Sequence, residues 1–290
     1  MQRSWHIRNR LWVGILLLAL GWTSVDARQD DEAPGEGPES LWAGVLGSGQ
    51  KLLVKDGTDC KVMGTVEIKV LEQVQKGVDA TLPKLKKTLQ MSPNDRLWTG
   101  SVLVHVCKER AEFRQLYNRL LRRQPLNEET GVYAHVGRLT HLLVGPLAGG
   151  PARVPADVEA VHQLGSATLT RLRGANQAME GWFTYGFGRA TAYRYAPRSF
   201  SQERQRAAAL LAQGKKLGDL QSDQVSGADA RILASSVADF LAYSPVMARQ
   251  WPDFYVSFGG GINIWDALKA CDIKPEAFEQ TWAVWAQRPR

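Results

Sequence analysis

Cysteine is scarce in this chain of 290 residues: only Cys60, Cys107 and Cys271 are present, with no C-x-x-C spacing among them. That excludes a cysteine-based zinc site and a thioredoxin-like redox motif. In an oxidising compartment one disulfide with an odd thiol is open, and so are three buried free thiols; the spacing selects no pair. Long apolar stretches are also missing. The N-terminal run over residues 11–22 holds twelve residues, too few to cross a ~30 Å hydrocarbon core as a helix. No internal repeat exists, which sets aside solenoids and propellers. No basic stripe interleaved with stacking aromatics exists either, so nucleic acid is not an expected partner. The formal charge is +7, and basic clusters at 84–87, 119–123 and 204–216 read as solvated helix faces.

What is present at the N-terminus has the three parts of a secretory signal. Arg3, Arg8 and Arg10 precede the apolar run, and Val25 and Ala27 offer small residues at the −3 and −1 positions of a cleavage site. No cysteine stands there, so a lipoprotein anchor has no support. Residues 1–27 are therefore expected to be a signal peptide. The mature protein is expected to be secreted or to lie in the periplasm or cell envelope, touching a membrane only if this segment stays uncleaved. Removing it takes away three arginines and Asp26 and leaves +5. An acidic run with Gly and Pro, residues 29–40, has no apolar periodicity and reads as solvated. The expected organisation is a flexible leader over 28–50 and one domain over 51–290, enough chain for a sizeable core.

Along that domain, residues 51–62 read as a hairpin around Asp56-Gly57. Val66, Val70, Val74, Val78, Leu82, Leu85 and Leu89 recur every three or four residues and predict a long helix, which Pro83 is placed to kink or divide. Residues 101–107 alternate as a strand, and 111–121 have helical spacing. Residues 132–144 read as one or two β segments around Gly137, and 146–155 as a Gly/Pro-rich connector. Helices then dominate: one from an N-cap at Asp157 to a stop at Gly174, then 177–195, 200–211, 228–241, 263–270 and 275–286. A 51–155 α/β part followed by a mainly helical 156–290 part predicts an α+β class instead of a doubly wound sheet.

The most informative stretch is residues 159–194. His162-Gln163-Leu164-Gly165-Ser166 has the length of an H-E-x-x-H motif, in which two His at i and i+4 grip Zn²⁺ and the Glu serves as general base. Here Gln163 stands at the Glu position and Ser166 at the second His. Trp182-Phe183-Thr184-Tyr185-Gly186-Phe187 matches W-[LF]-x-E-G-[LF], with Tyr185 where a third ligand would stand, nineteen residues after Ser166. Downstream, 216–220 reads as a short loop, 228–243 as a packed helix, and Gly259-Gly260-Gly261 with 265–268 and 278–285 as a small-residue turn followed by helices. Together these resemble the peptidase MA-like, or gluzincin-type, zinc metallopeptidase domain of secreted bacterial proteins, over residues 50–288. The resemblance implies a zincin-like α+β fold and a cleft lined by His162, Gln163, Ser166, Trp182 and Tyr185. It also implies a substrate-edge strand at Thr140, His141, Leu142, Leu143 and Val144.

One zinc ligand of three survives. Gln163 cannot take a proton from water at neutral pH, and losing a general base typically costs ~10²–10⁴-fold in rate. The expectation is a catalytically inactive protein with no catalytic residue, metal or cofactor, binding or scaffolding through the cleft; an extended peptide or an envelope protein is the expected partner. The alternative is a zinc-dependent hydrolase with a substituted site, or a hydrolase using other residues. Glu159 and His162, at i and i+3, share a helical face as in carboxylate-bridged metal sites, with His141, Glu180 or Tyr185 as third ligands. Against this, Glu159 reads as a solvated first-turn carboxylate. His135 and His141, taken as one strand, stand ~20 Å apart, too far for one metal. His105 reads as a core histidine. Ser166 with His162 lacks both an orienting Asp and a G-x-S-x-G elbow. The glycine run at 259–261 lacks the Lys-Ser/Thr of a phosphate loop and reads as a tight turn. Most of the ten tryptophans fall at helical spacing and read as core.

Overall fold

The computed structural model describes residues 38–97, 100–146, 154–173, 180–222, 224–225, 227–259 and 262–288. The signal segment 1–27, the leader through residue 37, most of the 146–155 connector, the Gly174 helix stop and Gly260-Gly261 lie outside the described residues.

Five strands form one mixed sheet. They are β1 (Leu53–Asp56), β2 (Cys60–Gly64), β3 (Val102–Val106), β4 (Gly131–Val136) and β5 (Leu139–Val144), in the order β1-β2-β3-β5-β4. The β1–β2 hairpin is antiparallel, β2–β3 and β3–β5 are parallel, and β4 runs antiparallel to β5. Each parallel step needs a crossover. Helix α1 (Ile68–Thr88) makes the first and α2 (Arg110–Leu121) begins the second. Two residues close the β4–β5 hairpin, and Gly137 supplies the positive φ of 55° that such a turn demands. The two predicted segments around Gly137 are thus separate strands.

Alternation along the strands sends side chains to two cores. Val102, Val104, Val106, Leu142 and Val144 join Leu71, Val74, Val78, Leu82 and Leu85 of α1. Leu103, Cys107, Leu143 and Ala134 join Phe113, Leu116 and Leu120 of α2 on the other face. Full burial of each such aliphatic side chain contributes roughly 1.5–3 kcal/mol, so the α1 stripe alone accounts for much of that face. Helix α1 runs unbroken through Pro83, giving up one i→i−4 hydrogen bond while its apolar stripe keeps it seated.

Among the described residues eight more helices follow: α3 (Ala156–Arg173), α4 (Gly181–Tyr195), α5 (Ser201–Ala212), α6 (Leu217–Gln221), α7 (Gly227–Tyr243), α8 (Trp251–Gly259), α9 (Ile264–Ala270) and α10 (Pro275–Ala286). Helix α3 lies on the α1 face of the sheet, α4 packs on α3, and α7 packs on α4. The class is α+β, a small sheet with a helical second half.

Four expectations need correction. The unit begins before residue 51, because Trp42 is fully buried and Val45 nearly so, both in the α2 core. Residues 217–221 form one helical turn, started where the Asp219 carboxylate accepts the Lys216 N–H. Asp157 lies inside α3, where its carboxylate accepts the Tyr195 hydroxyl at 2.8 Å. The strand Thr140, His141, Leu142, Leu143, Val144 is interior, because β5 is hydrogen-bonded to β3 on one side and β4 on the other. The edge is β4.

Candidate functional site

Helices α3 and α4 cross at glycines. A Cβ on Gly165 would lie 2.9 Å from Gly188 Cα and 2.8 Å from Thr191 Oγ1. One on Gly188 would overlap Ser166 Oγ and the His162 carbonyl oxygen. Gly186 likewise gives room to the Ala234 carbonyl of α7. Small residues at 165, 186 and 188 let three helix backbones approach closely, and this brings the side chains of residues 162, 166 and 185 together.

They line one cleft of about 400 Å³ with Glu159, Gln163, Thr184, Arg189, Glu203 and Arg231, closed on the sheet side by Gly131, Val132 and Tyr133 of β4. The His162 and Tyr185 rings meet edge to face with centroids 4.8 Å apart. Ser166 Oγ donates to the Thr184 carbonyl at 3.1 Å, so the hydroxyl is committed to α4. Trp182 does not line the cleft. It lies about 60° round the helix from Tyr185, and turns to Phe183 and Phe258 in the aromatic core.

Glu159 was expected to be solvated and is instead 5 % exposed. Its Oε1 accepts from Gln163 Nε2 at 2.7 Å and lies 3.3 Å from His162 Nδ1. Burial would raise its pKa, but His162, Arg189 and Gln163 outweigh burial and hold it at about 2. Arg189 grips Glu203 through two nitrogens and stacks over Phe200 at 4.3 Å. Its pKa is raised despite burial, by Tyr185, Glu203 and Glu159. Burial pushes the Tyr185 phenol up, against the pull of Arg189 and Arg231. The Arg189–Glu203 pair was not foreseen. The signal was there: Arg189 follows Tyr185 by four residues and so shares its helical face.

The donor set does not fit a catalytic zinc. His162 offers one imidazole whose Nδ1 faces Glu159, Gln163 offers a neutral amide, Ser166 is spent on a carbonyl, and the Tyr185 phenol resists ionisation. Among the described residues no group of three or more His, Cys, Asp or Glu is placed to hold a metal ion. His141 cannot complete the Glu159–His162 pair, because it points to the α2 face, where His105 Nε2 lies 3.0 Å from its Nδ1. His135 and His141 do come close, against the single-strand expectation. The hairpin folds 135 opposite 140, and His135 then faces α3, sharing a hydrogen bond with Thr140 Oγ1 at 3.1 Å.

β4 is where the cleft meets the sheet. The Gly145 N–H donates to the Thr130 carbonyl at 2.9 Å, and the register makes these two residues direct partners. Hydrogen-bonded and non-bonded pairs alternate along an antiparallel ladder. The N–H and C=O groups of Gly131, Tyr133 and His135 therefore point away from β5, on the outer side of β4. Tyr133 is fixed by a 2.9 Å hydrogen bond between its hydroxyl and Thr170 Oγ1 of α3.

A second hollow of about 510 Å³ lies beside Cys60 at the opposite end of the strands. Its thiol donates to Asp79 Oδ1 at 3.5 Å, and burial pushes its pKa up, so it is a poor nucleophile. Cys60, Cys107 and Cys271 are all free thiols. No helix among the described residues is long and apolar enough to cross a membrane. No protein-family model and no curated protein matches this chain.

Proposed function

We propose that the chain is a peptidase MA-like, gluzincin-type protein without zinc chemistry, which uses the former catalytic cleft to hold an extended peptide or a strand of an envelope protein. The observation that carries this reading is the placement of the edge strand β4, through Gly131, Val132 and Tyr133, on the wall of the cleft that His162, Gln163 and Tyr185 line. Addition of a strand at the β4 side of the sheet requires no metal. The cleft floor is rich in hydrogen-bonding groups, with the Glu159 carboxylate and the Arg189–Glu203 pair already engaged with neighbours, which suits a polar backbone. The order of elements supports the kinship: a sheet with an antiparallel edge strand, then the helix of His162 and Ser166, then the helix of Tyr185. The N-terminal signal-like segment supports placement outside the cytoplasm.

The test is a peptide library screened against the chain beginning at residue 28. Bound peptides should slow amide exchange at Gly131, Tyr133 and His135. His162→Ala and Tyr185→Ala should each weaken binding at least tenfold. Binding unchanged by both substitutions would remove the cleft from the interaction. Stoichiometric zinc with chelator-sensitive peptide cleavage would overturn the inert reading and leave the kinship standing.

A further inference from the structure

The α2 face of the sheet carries a buried hydrogen-bond chain that peptide binding at β4 does not use. The Trp42 indole N–H donates to His105 Nδ1 at 3.1 Å, and His105 Nε2 lies 3.0 Å from His141 Nδ1. The two imidazoles stack with centroids 5.3 Å apart. Trp42 and His105 are fully buried and His141 nearly so. Indole is only a donor, so the direction of the chain is fixed. His105 Nδ1 must accept, its proton sits on Nε2, and His141 Nδ1 accepts in turn.

We propose that this chain is an acid-operated latch: uptake of one proton by the histidine pair releases residues 38–50 from the α2 face while the rest of the protein stays folded. The geometry leaves an added proton two places. On His105 Nδ1 it meets the indole N–H head on. On His141 Nδ1 it meets the His105 Nε2–H, and moving that proton to Nδ1 recreates the conflict with the indole. Two contacts need two acceptors, and a protonated pair retains only one. His105 and His141 are anchored in β3 and β5, which pair with each other. Trp42 sits on the short 3₁₀ turn Pro38–Trp42 and is the member free to leave.

Among the described residues no counter-ion sits at the pair to accommodate an imidazolium. On α2, the Glu112 carboxylate is taken up by Thr65, Gln50 and the backbone N–H groups of Lys108 and Glu109. Tyr117 donates to Glu129, Arg119 donates to the Leu41 and Ala43 carbonyls, and Cys107 lies farther along the same face. On β4, His135 belongs to the other face. Burial lowers both pKa values, that of His141 to about 4. Release restores ordinary histidine behaviour, so the latch opens between about pH 4 and 6.5. The segment is held by Trp42 and Val45, by the partly buried Leu41 and Leu46, by Arg119, and by the 3.2 Å Gln50–Glu112 bond and an exposed Lys61–Glu39 pair. Opening uncovers Met63, Leu103, Phe113 and Leu116.

Amide exchange, corrected for its intrinsic pH dependence, tests this on the chain beginning at residue 28. Protection over residues 38–50 should fall at least tenfold from pH 7 to about pH 5, with protection in α1, α3 and α7 kept. The double variant His105→Gln/His141→Gln preserves a donor and an acceptor at each contact without titrating, and should keep the segment protected across that range. If that variant fails to fold, Trp42→Phe serves: its segment should already be at least tenfold less protected at pH 7, with the pH dependence flattened. Protection of 38–50 that persists to about pH 4.5, or that is lost only together with the helices, overturns the latch.

Discussion

Replacing Gly188 with alanine tests whether the α3–α4 crossing holds the cleft together. The new Cβ would overlap Ser166 Oγ and the His162 carbonyl oxygen and lie 2.9 Å from His162 Cδ2. The carbonyl belongs to a helix backbone, so α4 must lift away from α3. Overpacking of this kind costs about 1–3 kcal/mol, while alanine gains about 1 kcal/mol over glycine in helix propensity. With a backbone oxygen overlapping the new Cβ the cost lies at the upper end, about 2–3 kcal/mol, and a net loss of about 1–2 kcal/mol follows. Gly218→Ala is the control. It lies in α6 with nothing within 4 Å of the added Cβ, so only the propensity gain of about 0.5–1 kcal/mol applies. Urea unfolding followed by circular dichroism should move the two midpoints in opposite directions, the Gly188 variant down by about 0.5 M with an unchanged slope. The Gly188 variant should also lose peptide binding, because the His162–Tyr185 contact opens with the crossing. A Gly188→Ala protein as stable as its parent would refute the reasoning.

Acid should weaken the fold well above the carboxylate range. His135 and His141 are held near 4, below the ordinary 6.5, so the unfolded chain binds more protons as pH falls and stability drops from about pH 6.5 towards 4. Each contributes a loss of about 2 kcal/mol between pH 7 and pH 5, to be read as a falling urea midpoint; a flat profile over that interval contradicts their burial as neutral rings. Glu159→Gln should cost about 1.5–3 kcal/mol at pH 7 through lost charge-assisted bonds to a buried histidine. It should also flatten the further decline between about pH 4.5 and 2, since a depressed carboxylate stabilises only above its unfolded value. Trp42→Ala should lose about 3–5 kcal/mol from the α2 core, measured by calorimetry; a surface-like effect within ~0.5 kcal/mol would mean the N-terminal turn is not docked.

Much of the framework was written locally in the sequence. The valine and leucine spacing of α1, the alternation of β3 and the Gly137 turn each follow from side chains a few residues apart. Which strand lies at the edge did not follow, although Thr140-His141-Leu142-Leu143-Val144 is a nearly continuous buried run of the kind interior strands carry. Gly131, Val132 and Tyr133 are all half-buried, so no alternation along them marks β4 as the rim. In the cleft, residues 162, 166 and 185 were found because their spacing on two helices resembles that of a known motif. Glu159 was misjudged because exposure depends on β4 closing over it, a contact with Gly131 that no helical periodicity encodes. Trp42 was assigned to the leader for a similar reason: its partner His105 stands sixty-three positions away, and the apolar run from Leu41 to Leu46 is too short to establish a period.

The sheet stands as a partition through the molecule. Trp42, His105 and His141 belong to one room, and His162, Tyr185 and Gly188 to the other. Substitutions on opposite sides share no neighbour, so their energetic effects should sum to within about 0.5 kcal/mol. Either compartment is thereby open to remodelling while its counterpart keeps its geometry.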